Sequence, residues 1–257
     1  MKKEFTKENV IQNKKNAIRS LNNMLERLIN DSSDKHLKKA NLISYWIQDY
    51  VRFIQFEETF EPTRLLSYKR GDIVRVNFGF RVGAEFGGLH YAVVLDKENP
   101  HSANTLMVAP LSSMKPDKPV HERDLYIGTE FYNLVSNRFE QQLTDTATKL
   151  IELCTITDAL QKIPKDQLTA ETANTITNFE NQAKELKKAV SFLRRDKSEI
   201  ENMKAGSIVK IEQITAISKM RIYTPKKAID FLSGVHLSSN AMSRINEKIK
   251  EFYIFSE

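Results

Sequence analysis

Apolar residues in the first quarter of the chain return at spacings of three, four and seven. Phe5, Val10, Ile11, Ile18, Leu21, Met24, Leu25 and Leu28 form one such series, the mark of an amphipathic helix. The polar break Asp31-Ser32-Ser33-Asp34 offers caps for a second helix. That helix carries Leu37, Leu42, Ile43, Trp46, Ile47, Tyr50, Val51, Ile54 and Phe56, and Pro62 marks its end or the turn after it. Residues 1–66 are therefore expected to form an N-terminal helical extension. The aromatic stripe of Trp46, Tyr50, Phe53 and Phe56 reads as core or interface packing rather than a ligand cage.

At Arg70-Gly71-Asp72 the period shortens. Ile73 to Phe78 is β-branched and partly alternating, as expected of a strand. Gly79 to Gly88 is a loop with four of the chain's eight glycines. Strands follow at Tyr91–Leu95, Thr105–Leu111 and Asp124–Ile127, with Pro110 near the end of its strand, where a missing donor is tolerated. Short strands at this spacing suggest a small barrel rather than parallel βαβ units. Residues 129–203 return to helical periodicity, with Phe131, Leu134, Val135, Phe139, Leu143, Ala147, Leu150, Ile151 and Cys154 on one helix. Pro164 marks the turn, and Leu168, Ile176, Phe179, Ala183, Leu186, Val190 and Leu193 trace a second helix. Strand character resumes over Gly206–Ile214, so the hairpin reads as an insertion. A closing helix is expected from about Ser239 to Phe255, with Ile245, Ile249, Phe252 and Tyr253 on one face.

Composition narrows the class. The 257 residues are 40% hydrophobic and 28% charged, ordinary for a globular protein. No apolar run approaches the roughly 20 residues that span a bilayer, and Met-Lys-Lys-Glu-Phe is not followed by the apolar stretch of a secretory signal. Cys154 is the single cysteine, which excludes an intrachain disulfide, suits a reducing cytoplasm and points to a buried apolar role. The net charge of +6 has its excess in 1–70, with 14 basic against 9 acidic residues, and in 204–257, with 9 against 5. Such an excess permits phosphate binding without establishing it. His101, His121 and His236 have no metal-site spacing, and His36 lies on a helix with no evident partner.

The glycine loop alone, Gly83-Ala84-Glu85-Phe86-Gly87-Gly88, is neither a Walker loop nor a dinucleotide fingerprint. On local physics it is a hairpin connection whose glycines allow positive φ or close approach of a ligand. Its neighbours give it a context. Arg70-Gly71-Asp72-Ile73-Val74 followed by Val82 to Leu95, then Thr105 to Ser113, then Ser207 to Ile222, resembles in order the motifs of MazF/PemK toxins. The resemblance covers roughly 110 residues and leaves 1–66 and 129–203 unexplained. It implies an α+β fold: an SH3-like small β-barrel (MazF/PemK/CcdB-like) with a C-terminal helix, made of 67–128 and 204–257. The N-terminal helical hairpin and the inserted helical hairpin at 129–203 are additions to it.

The resemblance also implies a toxin of a toxin–antitoxin pair, a homodimer neutralised by a protein antitoxin, without membrane attachment. Its activity would be metal-independent and cofactor-free cleavage of single-stranded RNA by 2′-hydroxyl attack. His90 stands where the family has an Arg. It either transfers protons, or its presence marks a weakened enzyme and a binding module. Ser112 takes the place of a catalytic Thr. Lys210 and Glu212, two apart on the expected strand, share a face, and act on substrate or form a solvated ion pair. Among catalytic residues the resemblance implies His90, Ser112 and Glu212. Arg81, Glu85, Gly87, Gly88, Lys210, Gln213 and Arg221 are implied in substrate binding. A gyrase-targeting toxin on a related barrel is the remaining alternative.

Overall fold

The computed structural model describes residues 5–161 and 170–254. The expected turn at Pro164, the helical position Leu168 and the terminal Phe255 lie outside the described residues. Backbone contacts divide the chain into two units, Met1–Phe60 with Gly79–Val82, and Glu61–Phe78 with Gly83–Glu257.

The first unit holds α1 (Lys7–Ile29) and α2 (Asp34–Phe56). Thr6 caps α1, its hydroxyl accepting from the Asn9 amide at 3.3 Å. The polar break is anchored by Asp31, which accepts from the Ser33 amide at 2.8 Å and lies 3.1 Å from His36 Nδ1. His36 therefore has the partner that helical spacing did not reveal. Trp46 packs on Tyr50 and Phe53, with ring centroids 6.1 and 6.2 Å apart. It also lies against Gly79, where a Cβ would meet the indole at 2.6 Å.

The second unit is mixed α and β around an antiparallel sheet of seven strands. They are β1 (Ile73–Asn77), β2 (Leu89–Val94), β3 (Thr105–Ser113), β4 (Leu125–Tyr126), β5 (Ser207–Val209), β6 (Thr215–Ser218) and β7 (Ile222–Thr224). Their order is β4-β5-β3-β2-β1-β7, with β6 also on β3. This path ends on β4 and β7 without closing, so the barrel expected from the resemblance is an open sheet here. The expected strand over Gly206–Ile214 is also corrected. It stops at Val209, a 3₁₀ turn covers Ile211–Gln213, and pairing with β3 resumes in β6. Pro110 supplies the reason. Its carbonyl accepts from the Lys210 amide at 2.8 Å, so its missing N–H faces the same neighbour, and the ladder has no donor there. Pro110 thus lies inside β3 rather than at its end.

Alternation along the strands feeds two cores. Val74, Val76, Ala92, Val94, Leu106, Val108, Ile217 and Ile222 meet Tyr68 and Phe78 on one face. Ile73, Val93, Ala109, Leu111 and Val209 meet Phe131, Val135 and Ile200 on the other. The last three come from the helical hairpin α3 (Glu130–Gln161) and α4 (Ala170–Glu201), and α5 (Ser239–Tyr253) adds Ala241, Met242 and Ile245. Cys154, expected to be buried, is exposed on α3. The Arg-Gly-Asp motif proves to be a structural clamp. Arg70 donates to the Leu95 carbonyl and to Asn246 on α5. Gly71, at φ +91°, leaves no room for a Cβ beside His236, which would lie at 2.6 Å. Asp72 holds that histidine at 3.0 Å.

Candidate functional site

β2 and β3 run together from Val94 opposite Val108 to Ala92 opposite Pro110, and then part. β2 continues along β1 to Leu89, while β3 continues along β5 to Ser113. This fork opens a cleft of about 660 Å³, lined by Leu89, His90 and Tyr91 on one prong and Leu111, Ser112 and Ser113 on the other. Arg75 reaches it from β1, and Ser198, Glu199, Asn202, Met203 and Lys204 from the end of α4 and the segment after it. Strand alternation puts Arg75 and Tyr91 on the face of Ile73 and Val93, and His90 and Ser112 on the opposite face. Because the two strands diverge, both sets border one space.

The His90 ring lies 4.6 Å from that of Phe86, centroid to centroid, and Phe86 meets Phe78 edge-on at 5.7 Å. Half-buried in this aromatic setting, His90 is pushed below the ordinary histidine value by burial and then by the charge of Arg75. Its neutral form is thus favoured at neutral pH, which suits a proton acceptor. Gly88 approaches it, and a Cβ there would meet the imidazole at 3.4 Å. Burial pushes the Tyr91 phenol up to about 12 against the opposing pull of Arg75, and Glu199 adds to the rise. Arg75, Lys115 and Lys204 are the cations of the lining, and Glu199 is its one carboxylate.

The other expected site residues are placed elsewhere. Lys210 is ion-paired with the buried Asp124 and lies 3.7 Å from Glu212. Neither Lys210 nor Glu212 lines the cleft, and they do not share a strand face, since β5 ends before them. Gln213 accepts from the Phe86 amide at 3.0 Å, which ties the glycine loop to the 3₁₀ turn. Arg221 donates from Nε to the Asn77 carbonyl at 2.8 Å and braces the end of β1. Arg81, Glu85 and Gly87 are outside the cleft lining. Sequence reasoning missed Arg75, Tyr91 and Glu199. An arginine amid Ile73-Val74-Arg75-Val76 was a visible signal, whereas Glu199 gave none, being 124 positions from its partner Arg75. Among the described residues no group of His, Cys, Asp and Glu is disposed to hold a metal ion.

The family model for PemK-like, MazF-like toxins of type II toxin–antitoxin systems matches residues 69–178. Residues 69–178 carry a PemK/MazF-like domain. The matched segment is less than half of the chain. It contains both prongs of the fork with His90 and Ser112, all of α3 and the start of α4. The rest of the cleft, from Ser198 to Ser207, lies beyond the PemK/MazF-like match. No curated protein matches the chain. Among the described residues no helix is long and apolar enough to cross a membrane.

Proposed function

We propose that the protein is a toxin-like endoribonuclease that cuts single-stranded RNA in the cleft at the fork of β2 and β3. The observation that carries this reading is the presence of His90 and Ser112 on facing prongs of one cationic cleft within the PemK/MazF-like segment. Neutral His90 takes the proton from a ribose 2′-hydroxyl. The 2′-oxygen then bonds to the adjacent phosphorus and the bond from phosphorus to the 5′-oxygen breaks. Water in the open cleft gives a proton to the departing oxygen, leaving a 2′,3′-cyclic phosphate and a 5′-hydroxyl end. The Ser112 hydroxyl donates to a phosphate oxygen as charge builds there. Only RNA has the attacking group.

On this reading the sheet is an SH3-like barrel left open, the protein acts as a homodimer in the cytoplasm, and a protein antitoxin restrains it. The antitoxin follows from the type II description of the matched family. Glu212, with Lys210, Gln213 and Arg221, serves to hold the turn and the strand ends rather than to touch RNA, given the partners described above. Arg81 and Glu85 remain proposed RNA contacts of the loop.

Incubation with mixed-sequence single-stranded RNA, followed by mapping of the ends, tests the reaction. Defined cuts with cyclic-phosphate ends are expected, reduced about 10²-fold or more in His90→Ala and less severely in Ser112→Ala. Tight binding without cuts would make the protein a binding module. Intact RNA with DNA breaks in arrested cells would point to gyrase instead.

A further inference from the structure

A cleft that processes a phosphodiester needs a cation fixed beside the phosphate. Neutral His90 does not supply it. Lys115 and Lys204 are exposed point charges on flexible stems at the rim. Arg75 is different. Its guanidinium lies 5.5 Å from the centroid of the Tyr91 ring and 5.4 Å from that of Tyr223. Two aromatic neighbours restrict the orientation of the planar group, so its N–H edge is preorganised. One donor reaches Glu199 Oε1 at 2.5 Å. The second oxygen, Oε2, is buried and accepts no hydrogen bond among the described residues.

We infer that Arg75 holds the reacting phosphate, and that the Glu199 carboxylate occupies its donor edge until the substrate phosphate displaces it. A carboxylate and a phosphate present the same bidentate pattern to an arginine fork, so α4 sets an internal anion where the substrate anion would bind. The pair is largely buried, with 22% and 23% of the two side chains exposed, so the guanidinium is not left without an anion: the substrate phosphate takes the place of the carboxylate as it leaves. Arg75 is then a substrate-touching residue, while Glu199 is a positioning residue that also competes with the substrate. This rests on the endoribonuclease reading.

The probe is a labelled single-stranded RNA with 2′-O-methyl at every ribose, which binds without being cut. Its affinity is measured over a salt series for wild type, Arg75→Gln, Arg75→Lys and Glu199→Gln, with thermal melting as a check on folding. Arg75→Gln is expected to weaken binding by about tenfold and to lower the log–log salt slope by roughly 0.7, one phosphate contact. Arg75→Lys, which keeps the charge and loses the fork, falls between. Glu199→Gln, which frees Arg75, is expected to tighten binding several-fold. Unchanged affinity and slope in Arg75→Gln, or unchanged or weaker binding in Glu199→Gln, overturns the inference. Should Arg75→Gln fail to fold, the Glu199→Gln arm decides alone. If unmodified RNA is cut while Arg75→Gln binds like wild type, the inference fails and the nuclease reading stands. Arg75-dependent binding with no cutting of unmodified RNA gives the reverse.

Discussion

The hairpins α1–α2 and α3–α4 read alike in the sequence and differ in what they bury. α1 buries no residue, and α2 buries Ala40 and Ile43 alone. Ile18 on α1 and Ile54 on α2 remain 60% and 49% exposed. The hairpin α3–α4 is rooted in the sheet. Phe131 and Val135 at the start of α3 and Ile200 at the end of α4 belong to the core beside Ile73, Val93 and Val209. Farther along α3, Ile151 is 67% exposed. A period of 3.6 residues states which face of a helix is apolar and is silent about what covers that face. The second hairpin borders the cleft through its root, since only there does α4 touch it.

The contrast can be broken most forcefully at Phe131. Phe131→Ala is expected to cost about 3–5 kcal/mol, because a buried ring is lost from the junction of α3 with the sheet. Urea unfolding measures it, and a loss below about 1 kcal/mol would mean that the hairpin α3–α4 is not rooted as described. A smaller effect is expected at Tyr68, whose hydroxyl donates to the Pro225 carbonyl at 2.7 Å in the core on the opposite face. Tyr68→Phe leaves that carbonyl without its donor and should cost about 1–3 kcal/mol in the same assay.

On the proposed endoribonuclease reading, the pH dependence of cleavage separates the root from the outer helices in another way. The groups around His90 in the cleft are Arg75 on β1, Glu199 on α4, and Lys115 and Lys204 at the rim. A depressed His90 value keeps the base neutral below the ordinary 6.5, so the acidic limb of the rate profile should lie beneath it. Removing the Arg75 charge favours the protonated imidazole, and in Arg75→Gln the limb should move up in pH. A limb that stays fixed would exclude His90 as the titrating base. Stability has the same sign. Between the folded value and 6.5 the unfolded chain binds the extra proton, so stability falls as pH drops through that window. The smallest effect belongs to α1. Ile18→Ser should change unfolding free energy by no more than about 0.5 kcal/mol, and a loss above about 2 kcal/mol would show that something covers that face.

Most elements were legible because their periods are strong. Among the described residues, the five α-helices and the first four strands lie where alternation and the 3.6 period put them, with ends shifted by a few residues. The break after Val209 was legible in principle, since Pro110 removes a donor from the strand opposite. It was missed because pairing partners are not written in a local pattern. His90 and Ser112 were singled out through the motif order, and both line one cleft. Arg75 was passed over as one charge within a strand, and Glu199 stood in a segment with no resemblance to carry it. Lys210 and Glu212 were misplaced for the same reason as the strand itself.

The pairing of Arg75 with Glu199 across 124 positions bears on how the protein is made. During synthesis His90 and Ser112 are complete early, but the prong bearing Ser112 has no β5 beside it until Val209 has emerged, and α4 must precede that. Closing so long a loop comes late in folding. A nascent or truncated chain therefore carries His90 and Ser112 without the cleft that Ser198 to Ser207 help to line, and the two prongs come to border one space only after β5 has emerged.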